Sequence, residues 1–316
     1  MSNQDKQLIV LIPEAGGDAG LSAFKSLVYE YGMNIRIIAT DADPKSPSIS
    51  MSKFIHVPYA TDEGRYMEAM KRIIEKYEPS LIMPTSDFDA KVLSRYKLEL
   101  AQYGCIPVVS DEEVINAWED KLCMAETHPS IHPVTSLHPD NIPGGYIFAK
   151  PRYGVGSRGI IVLHRDEALY HYEFHKEEYI YQELLEGEQY TVDVLCSLDG
   201  QPLQAVTRRV YRLKGGVDTV CSIVHSPKME HIAMELCRDY SVVGAACFEF
   251  MFDKEGEPRL IDCQPRLSGA HIVTTIAGLN IPVQLIELSQ GNEFTPKPVN
   301  YNLKVVRTFN EEVVSW

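Results

Sequence analysis

The chain has 316 residues, 45% of them hydrophobic and 23% charged, which is ordinary for a globular protein and excludes disorder, collagen and coiled coil. With 30 Lys+Arg against 44 Asp+Glu, the net charge of −14 argues against a duplex-binding face and against anionic membrane surfaces. Seven cysteines, an odd number with no CxxC pair, and an N-terminal apolar run of only LIVLI predict a reduced, cytoplasmic protein without a signal segment.

The first third alternates apolar runs with amphipathic ones. LIVLIPEAGG predicts a strand and a glycine turn, and Leu21, Phe24, Leu27, Val28 and Tyr31 recur at helical spacing. NIRIIATDAD and FIHVPYA predict further strands. Tyr66, Met70, Ile73, Ile74 and Tyr77 mark a helix; SLIMPTSD is a strand, 89–103 a helix and IPVV a short strand. Strand–helix alternation with nearly continuous apolar strands implies a parallel sheet covered on both faces, with ligands beyond the carboxyl ends of its strands.

Beyond residue 110 the texture changes. Residues 111–127 read as a helix, with Ser110 and Glu113 at capping-box spacing. After a His/Pro-rich loop, YIFAKP, GIIVLH, YIYQELL and QYTVDVLCSLDGQPLQAVTRRVYRL read as hairpin strands. A helix over 230–243 and the pair within CFEFMFDKEGEPRLIDCQP follow. A parallel α/β domain thus precedes a larger α+β part, with no internal repeat.

Four constellations carry possible chemistry. Gly16-Gly17-Asp18-Ala19-Gly20, with Asp41 and Asp43 further on, is either a phosphate-holding turn or a tight turn that starts a helix. Gly154-Val155-Gly156-Ser157-Arg158-Gly159 matches GxGxxG but runs into a strand, so it predicts a glycine loop at a hairpin tip, near Lys150. That loop either folds over a polyphosphate or is simply exposed.

Glu249 and Asp262 fall on neighbouring strands, where a hairpin points both to one face together with Gln264. Two carboxylates and an amide oxygen suit Mg²⁺; the other reading pairs one acid with Arg259 or Arg266. Arg208, Arg209, Arg212 and Lys214 before Gly215-Gly216 form either an anion site or a solvated hairpin edge.

Taken in order, Asp120-Lys121, FAKPRYGVGSRG, YIYQELLEGEQYTVDVL and FEFMFDKEGEPRLIDCQPRLSG resemble the ATP-grasp superfamily, in particular the carbamoyl-phosphate-synthase-like carboxylate–amine ligases, as one synthetase unit. The resemblance implies a Rossmann-like domain over 1–110, a small lobe with a glycine-rich lid over 111–181 and a large lobe over 182–316. It implies an ATP-dependent ligase using Mg²⁺ or Mn²⁺, a carboxylate and an amine or ammonia, with a homodimer or a separate partner subunit open.

Carried over, Lys121 and Lys150 contact phosphates, and Gly154, Gly156, Ser157 and Gly159 form the lid. Gln182, Glu183 and Leu185 meet the adenine, and Gln189 meets the ribose. Glu249, Asp262 and Gln264 hold the metal. Arg266 steadies the γ-phosphate, and Arg208 faces substrate or phosphate. Ser268 and His271 are candidate substrate residues, whereas His128, His132 and His138 are read as loop residues.

The chain departs from the family pattern at Asp262-Cys263-Gln264-Pro265-Arg266, where relatives read E-x-N-P-R, and at Gln189, where they place Glu. Two other readings remain: a dehydrogenase using Gly17, Gly20 and Asp41 with NAD, and a non-catalytic ATP sensor.

Overall fold

The computed structural model describes residues 8–51, 53–308 and 310–313. The N-terminal runs form a five-stranded, wholly parallel sheet: β1 (Ile9–Ile12), β2 (Arg36–Asp41), β3 (Phe54–His56), β4 (Leu81–Ile82) and β5 (Ile106–Pro107). Its order is β3-β2-β1-β4-β5, so the strand sequence reverses between β1 and β4. A crevice opens at such a reversal, outside the strands' carboxyl ends.

Helices α1 (Asp18–Tyr31), α2 (Glu63–Tyr77), α3 (Asp87–Arg95) and α4 (Lys97–Gln102) belong to this unit. On α2 the buried side chains Tyr66, Met70, Ile73 and Ile74 are those its periodicity marks. On α1 the buried face differs from expectation: it holds Ala19, Ser22, Ala23 and Ser26 beside Leu27, while Leu21, Phe24, Val28 and Tyr31 are half-buried. Small residues are needed there because a second helical layer, from the far end of the chain, packs on α1.

Two predicted helices are interrupted. The 89–103 segment is α3 and α4, broken at Tyr96. The 111–127 segment is α5 (Glu112–Glu119) and α6 (Lys121–Thr127), broken at Asp120, whose carboxylate accepts bonds from the N–H groups of Leu122 and Cys123. The expected Ser110–Glu113 capping box is absent. Asp111 precedes α5, and the Ser110 hydroxyl is buried and accepts a bond from Val243 N at 3.0 Å.

A four-stranded sheet of order β6-β9-β7-β8 follows, from β6 (Thr135–Ser136), β7 (Tyr146–Pro151), β8 (Ile161–His164) and β9 (Tyr179–Glu183), with α7 (Arg165–Phe174) against it. The division expected between 181 and 182 cuts β9; the chain leaves this sheet after Glu183.

The third sheet holds six strands: β10 (Gln189–Cys196), β11 (Pro202–Lys214), β12 (Val217–Val224), β13 (Ala245–Phe252), β14 (Pro258–Gln264) and β15 (Lys304–Val306), in the order β14-β13-β10-β11-β12-β15. Helix α8 (Pro227–Asp239) starts three residues earlier than predicted because Pro227 suits a first turn. It covers one face with Met229, Ala233 and Leu236, against Val192, Val194, Phe248 and Phe250.

The chain closes with α9 (His271–Ile276) and α10 (Ile281–Ser289). These return to α1: Ser26 Oγ lies 2.8 Å from Thr275 Oγ1, Asn280 Nδ2 donates to Ser26 O, and Ser22 Oγ donates to Gly269 O. Val10, Ile12 and Leu27 share one apolar core with Val206, Ile223, Val273 and Ile286. The parallel-sheet unit and the six-stranded unit are therefore joined by a common interior.

Candidate active site

Two adjoining cavities lie where the three sheets meet. The first, about 230 Å³, is bounded by β7, the glycine loop, the chain after β9, and β13 and β14. Its walls include Lys121, Phe148, Lys150, Ile160, Val162, Gln182, Glu183, Leu184, Leu185, Met251 and Ile261, closed by 154–158 and floored by Glu249 and Asp262.

Lys150 is buried, and its ammonium donates to the Ile261 carbonyl at 2.5 Å. Burial pushes its pKa down to about 8, although Asp262 and Glu249 oppose that. Lys121 Nζ donates to Gly154 O at 2.8 Å and lies 4.0 Å from Asp262 Oδ1, which ties the first turn of α6 to the glycine loop. Asp120 fixes this corner, accepting from Arg152 (2.8 and 2.5 Å) and from Tyr153 Oη (2.8 Å). Burial alone would raise the Asp120 carboxyl; those bonds and the Cys123 N–H outweigh it and hold the group at about 2.

Glu249 and Asp262 face one another across β13 and β14, at the last regular pair before a register shift. Burial first, then the charges of Asp262 and Asp218, push the Glu249 carboxyl well above the usual range. Two carboxylates this close repel one another unless a cation lies between them. Gln264 donates from Nε2 to Asp262 Oδ2 at 2.8 Å, and a half-turn of its amide presents Oε1 instead. Two carboxylates and an amide oxygen therefore fit a hard divalent ion that keeps further oxygens from water or phosphate.

Near the end of β9, the Gln182 side chain donates from Nε2 to Thr135 Oγ1. Glu183 is bonded twice to Val134, through its N–H and its carboxylate. Leu184, which sequence reasoning passed over, lines the cavity beside Leu185. Gln189 does not line either cavity: its Nε2 donates to Glu249 Oε2 at 3.3 Å. Gly159 lies outside the cavity wall too, with φ +75°, where a Cβ would meet Pro151 and the Tyr179 hydroxyl at 2.9 Å.

The second cavity, about 580 Å³, shares Gly156, Ser157, Arg158, Glu249 and Asp262 with the first. It runs from Arg266, Gln264 and Ser268 to the carboxyl ends of the parallel strands at Glu14, Asp41 and Thr85. The Gly215-Gly216 turn of the β11–β12 hairpin reaches the glycine loop, so that a Cβ on Gly216 would stand 3.2 Å from Ser157 Oγ. Both glycine-bearing turns thus help to roof one space.

Arg266 is not a free cation here. Its Nε and Nη2 donate to the two oxygens of Asp87 at 2.8 and 2.9 Å, and Nη1 donates to Leu267 O.

Of the basic run read as an anion site or a solvated hairpin edge, Arg208 lies on no solvated edge and lines the second cavity. It is buried, forms ion pairs with Asp193 and Asp218, and donates to Thr274 and Ser268. An arginine already shared by two carboxylates is a structural cross-tie before it is an anion receptor. Ser268 lines the second cavity. His271 is buried outside both cavities' walls, its Nδ1 on Ser268 O. His132 is buried with Nδ1 on His128 O, His128 meets the Tyr240 hydroxyl, and His138 accepts from Asp140 N.

The N-terminal glycine turn is closely packed and also lines the second cavity through Gly17, Asp18 and Asp41. Gly16 N donates to Asp41 Oδ2 at 3.0 Å, and a Cβ on Gly20 would stand 2.5 Å from Ala15 Cα. Asp41, the acid that a dinucleotide reading would aim at a ribose, also accepts from Ser46 Oγ within the turn.

A family model described as ATP-grasp in the biosynthetic pathway with Ter operon matches residues 175–311. No curated protein matches the chain in sequence. Among solved structures, the biotin carboxylase domain of Hydrogenobacter thermophilus 2-oxoglutarate carboxylase, in complex with MgADP and bicarbonate, superposes with a TM-score of 0.71. It is 16% identical over 95% of this chain and 74% of its own. Biotin carboxylase from Campylobacter jejuni gives 0.68, with 18% identity over 95% and 75%. The L-amino acid ligase of Bacillus licheniformis gives 0.66, with 12% identity over 90% and 74%. At these identities the likeness is one of fold. The chain thus has the fold of these proteins, and its C-terminal part, residues 175–311, matches the ATP-grasp family model.

Proposed function

We propose that the protein is an ATP- and Mg²⁺-dependent ligase that activates a carboxylate as an acyl phosphate for attack by an amine. The observation that carries this reading is the convergence of Lys121, Lys150, the glycine loop and the facing Glu249–Asp262 pair on one cavity that opens into a second. The MgADP, ADP and bicarbonate in the Hydrogenobacter neighbour support it by analogy of fold.

In this reading the purine lies between Phe148, Ile160 and Val162 on one side and Met251 and Ile261 on the other, its edge at the backbone of 183–185. The glycine loop and Lys150 hold the phosphates, and Lys121 holds the loop. Glu249, Asp262 and Gln264 would hold Mg²⁺, which supplies charge neutralisation and orientation of the phosphate oxygens. A substrate carboxylate oxygen then attacks the γ-phosphorus, the bond to the β–γ bridging oxygen breaks, and ADP leaves. The amine nitrogen next attacks the acyl carbon, inorganic phosphate departs with the C–O electron pair, and the nitrogen loses a proton. Lys150 and Arg266 act electrostatically, on charge spread over the transferred group. The loop excludes water that would hydrolyse the acyl phosphate.

A cavity of about 580 Å³ is larger than bicarbonate and ammonia need, so organic partners are proposed for at least one substrate. Carbamoyl-phosphate-synthase-like chemistry is retained for the activation step. Seven free thiols, six of them buried, suit a reducing cytoplasm, and no helix among the described residues is long and apolar enough to cross a membrane.

The test is thermal unfolding with ATP, ADP and NAD, each with Mg²⁺ or EDTA, followed by ADP release across a panel of carboxylates and amines. Mg²⁺-dependent stabilisation by ATP and substrate-dependent ADP release are expected. Binding of ATP with no release under any pair would favour the sensor reading, which the altered Asp262/Gln264 and Gln189 positions keep alive. Stabilisation by NAD alone would overturn both.

A further inference from the structure

Asp87 stands where the parallel sheet reverses its strand order. The chain leaves β4 at Ile82, and Thr85 Oγ1 anchors the exit by donating to Pro13 O, beyond β1, at 2.6 Å. Ser86 Oγ then accepts from Asp89 N and caps α3, so that Asp87, the first residue of that helix, is fixed from both sides. Its two oxygens take the Nε and Nη2 edge of Arg266 at 2.8 and 2.9 Å, a bidentate fork across the junction between the parallel-sheet unit and β14.

A guanidinium has five N–H donors. Asp87 occupies two and Leu267 O a third, which leaves two on a residue that lines the second cavity beside Asp262 and Gln264. Asp262 is itself a carboxylate close enough to attract Arg266. Released from Asp87, a long flexible arginine would find Asp262 as its next partner and turn its donors away from the transferred group.

We propose that Asp87 is a positioning residue: it holds Arg266 away from Asp262, so that the arginine's remaining donors meet the charge that develops on the transferred phosphoryl group. This rests on the ligase reading above.

The experiment measures binding of MgADP to the full chain, with and without aluminium fluoride, a mimic of the transferred phosphoryl group. Wild type, Asp87→Asn, Asp87→Ser, Asp87→Glu and Arg266→Ala are compared by calorimetry. In wild type, aluminium fluoride is expected to tighten MgADP binding. Asp87→Asn and Arg266→Ala should bind MgADP within about threefold of wild type and lose about tenfold or more of that tightening. Asp87→Glu, which keeps a charged fork, should recover part of it. Asp87→Ser keeps a hydroxyl at the helix start and serves if Asp87→Asn does not fold.

Full tightening in the folded Asp87 variants, alongside its loss in Arg266→Ala, would overturn the inference. So would an equal weakening of MgADP with and without aluminium fluoride, the mark of a merely structural contact. MgADP binding without tightening in wild type overturns Arg266's phosphoryl role and this inference while sparing nucleotide binding. Absence of MgADP binding in wild type overturns the ligase reading itself.

Discussion

Glu249 and Asp262 are directly opposite one another on antiparallel strands, their carboxylates on one face and close to the buried Lys150 ammonium. Burial and Asp262 raise Glu249 to about 8 in the folded chain, from 4.5. Between those values the folded state keeps a proton that the unfolded chain releases, so this group's contribution to stability falls as pH rises through the window and is lost above about 8. Lys150 acts in a different range: its pKa is lowered from 10.5 to about 8, so its destabilising contribution is relieved only as pH rises between those values. Metal-free unfolding midpoints of wild type and Glu249→Gln, measured from pH 5 to pH 8, should therefore diverge, the wild type losing more. Mg²⁺ should stabilise wild type more at pH 8 than at pH 5, because it competes with the proton. A Mg²⁺ effect independent of pH would remove Glu249 from the metal site.

Lys150→Met keeps the length of the side chain and removes the charge that faces the first cavity. Loss of one electrostatic contact to a transferred phosphoryl group typically costs a few kcal/mol of barrier, so substrate-dependent ADP release should fall roughly 100-fold or more. Lys176→Ala, at an exposed lysine paired with Glu173, is the control and should change turnover little. Equal turnover in both variants would sink the phosphate role of Lys150.

The parts of the site carried by chemistry-bearing residues were legible because strand alternation fixes their faces. Placing Glu249 and Asp262 on one face needs only the hairpin and a period of two. The same period, counted from Lys150 to Phe148 and from Glu249 to Met251, would have found the apolar walls, which composition alone hides among core residues. The surroundings of Arg208 were not legible, because the local run Arg208-Arg209-Val210-Tyr211-Arg212 does not show that Asp193 and Asp218 come beside it from β10 and from later in the hairpin. Asp87 was invisible for a related reason. It lies 179 residues from Arg266, and only the packing of the parallel sheet against β14 brings them together.

The burial of Arg208 leads to a stability prediction. Removing one member of a buried ion-pair network leaves the others uncompensated and typically costs about 3–5 kcal/mol. Arg208→Ala should accordingly show a much lower denaturant midpoint before any assay of turnover is informative. Asp218→Asn, which leaves Asp193 to balance the guanidinium, should be milder. Full stability with selectively lost turnover in Arg208→Ala would restore the role first read from the sequence, a direct contact to substrate or phosphate.

The roof of the two cavities is testable at Gly216. Its φ of +79° lies in the region open to glycine, and a Cβ there would press within 3.2 Å of the Ser157 hydroxyl in the opposing loop. Gly216→Val adds both backbone strain and bulk where the two turns meet. The hairpin lies at the surface, so the fold should survive with a loss of about 1–2 kcal/mol. The loop over 154–159 should then close less completely, raising the apparent KM for ATP and leaving the loop open to proteolysis even when MgATP is added. Gly256→Ala, in the β13–β14 turn, also has a positive φ but meets no atom within 4 Å. It should reproduce the strain without the change in KM, separating loop closure from a general loss of stability. Protection of the loop by MgATP in Gly216→Val, equal to that in wild type, would show that the hairpin turn plays no part in holding it shut.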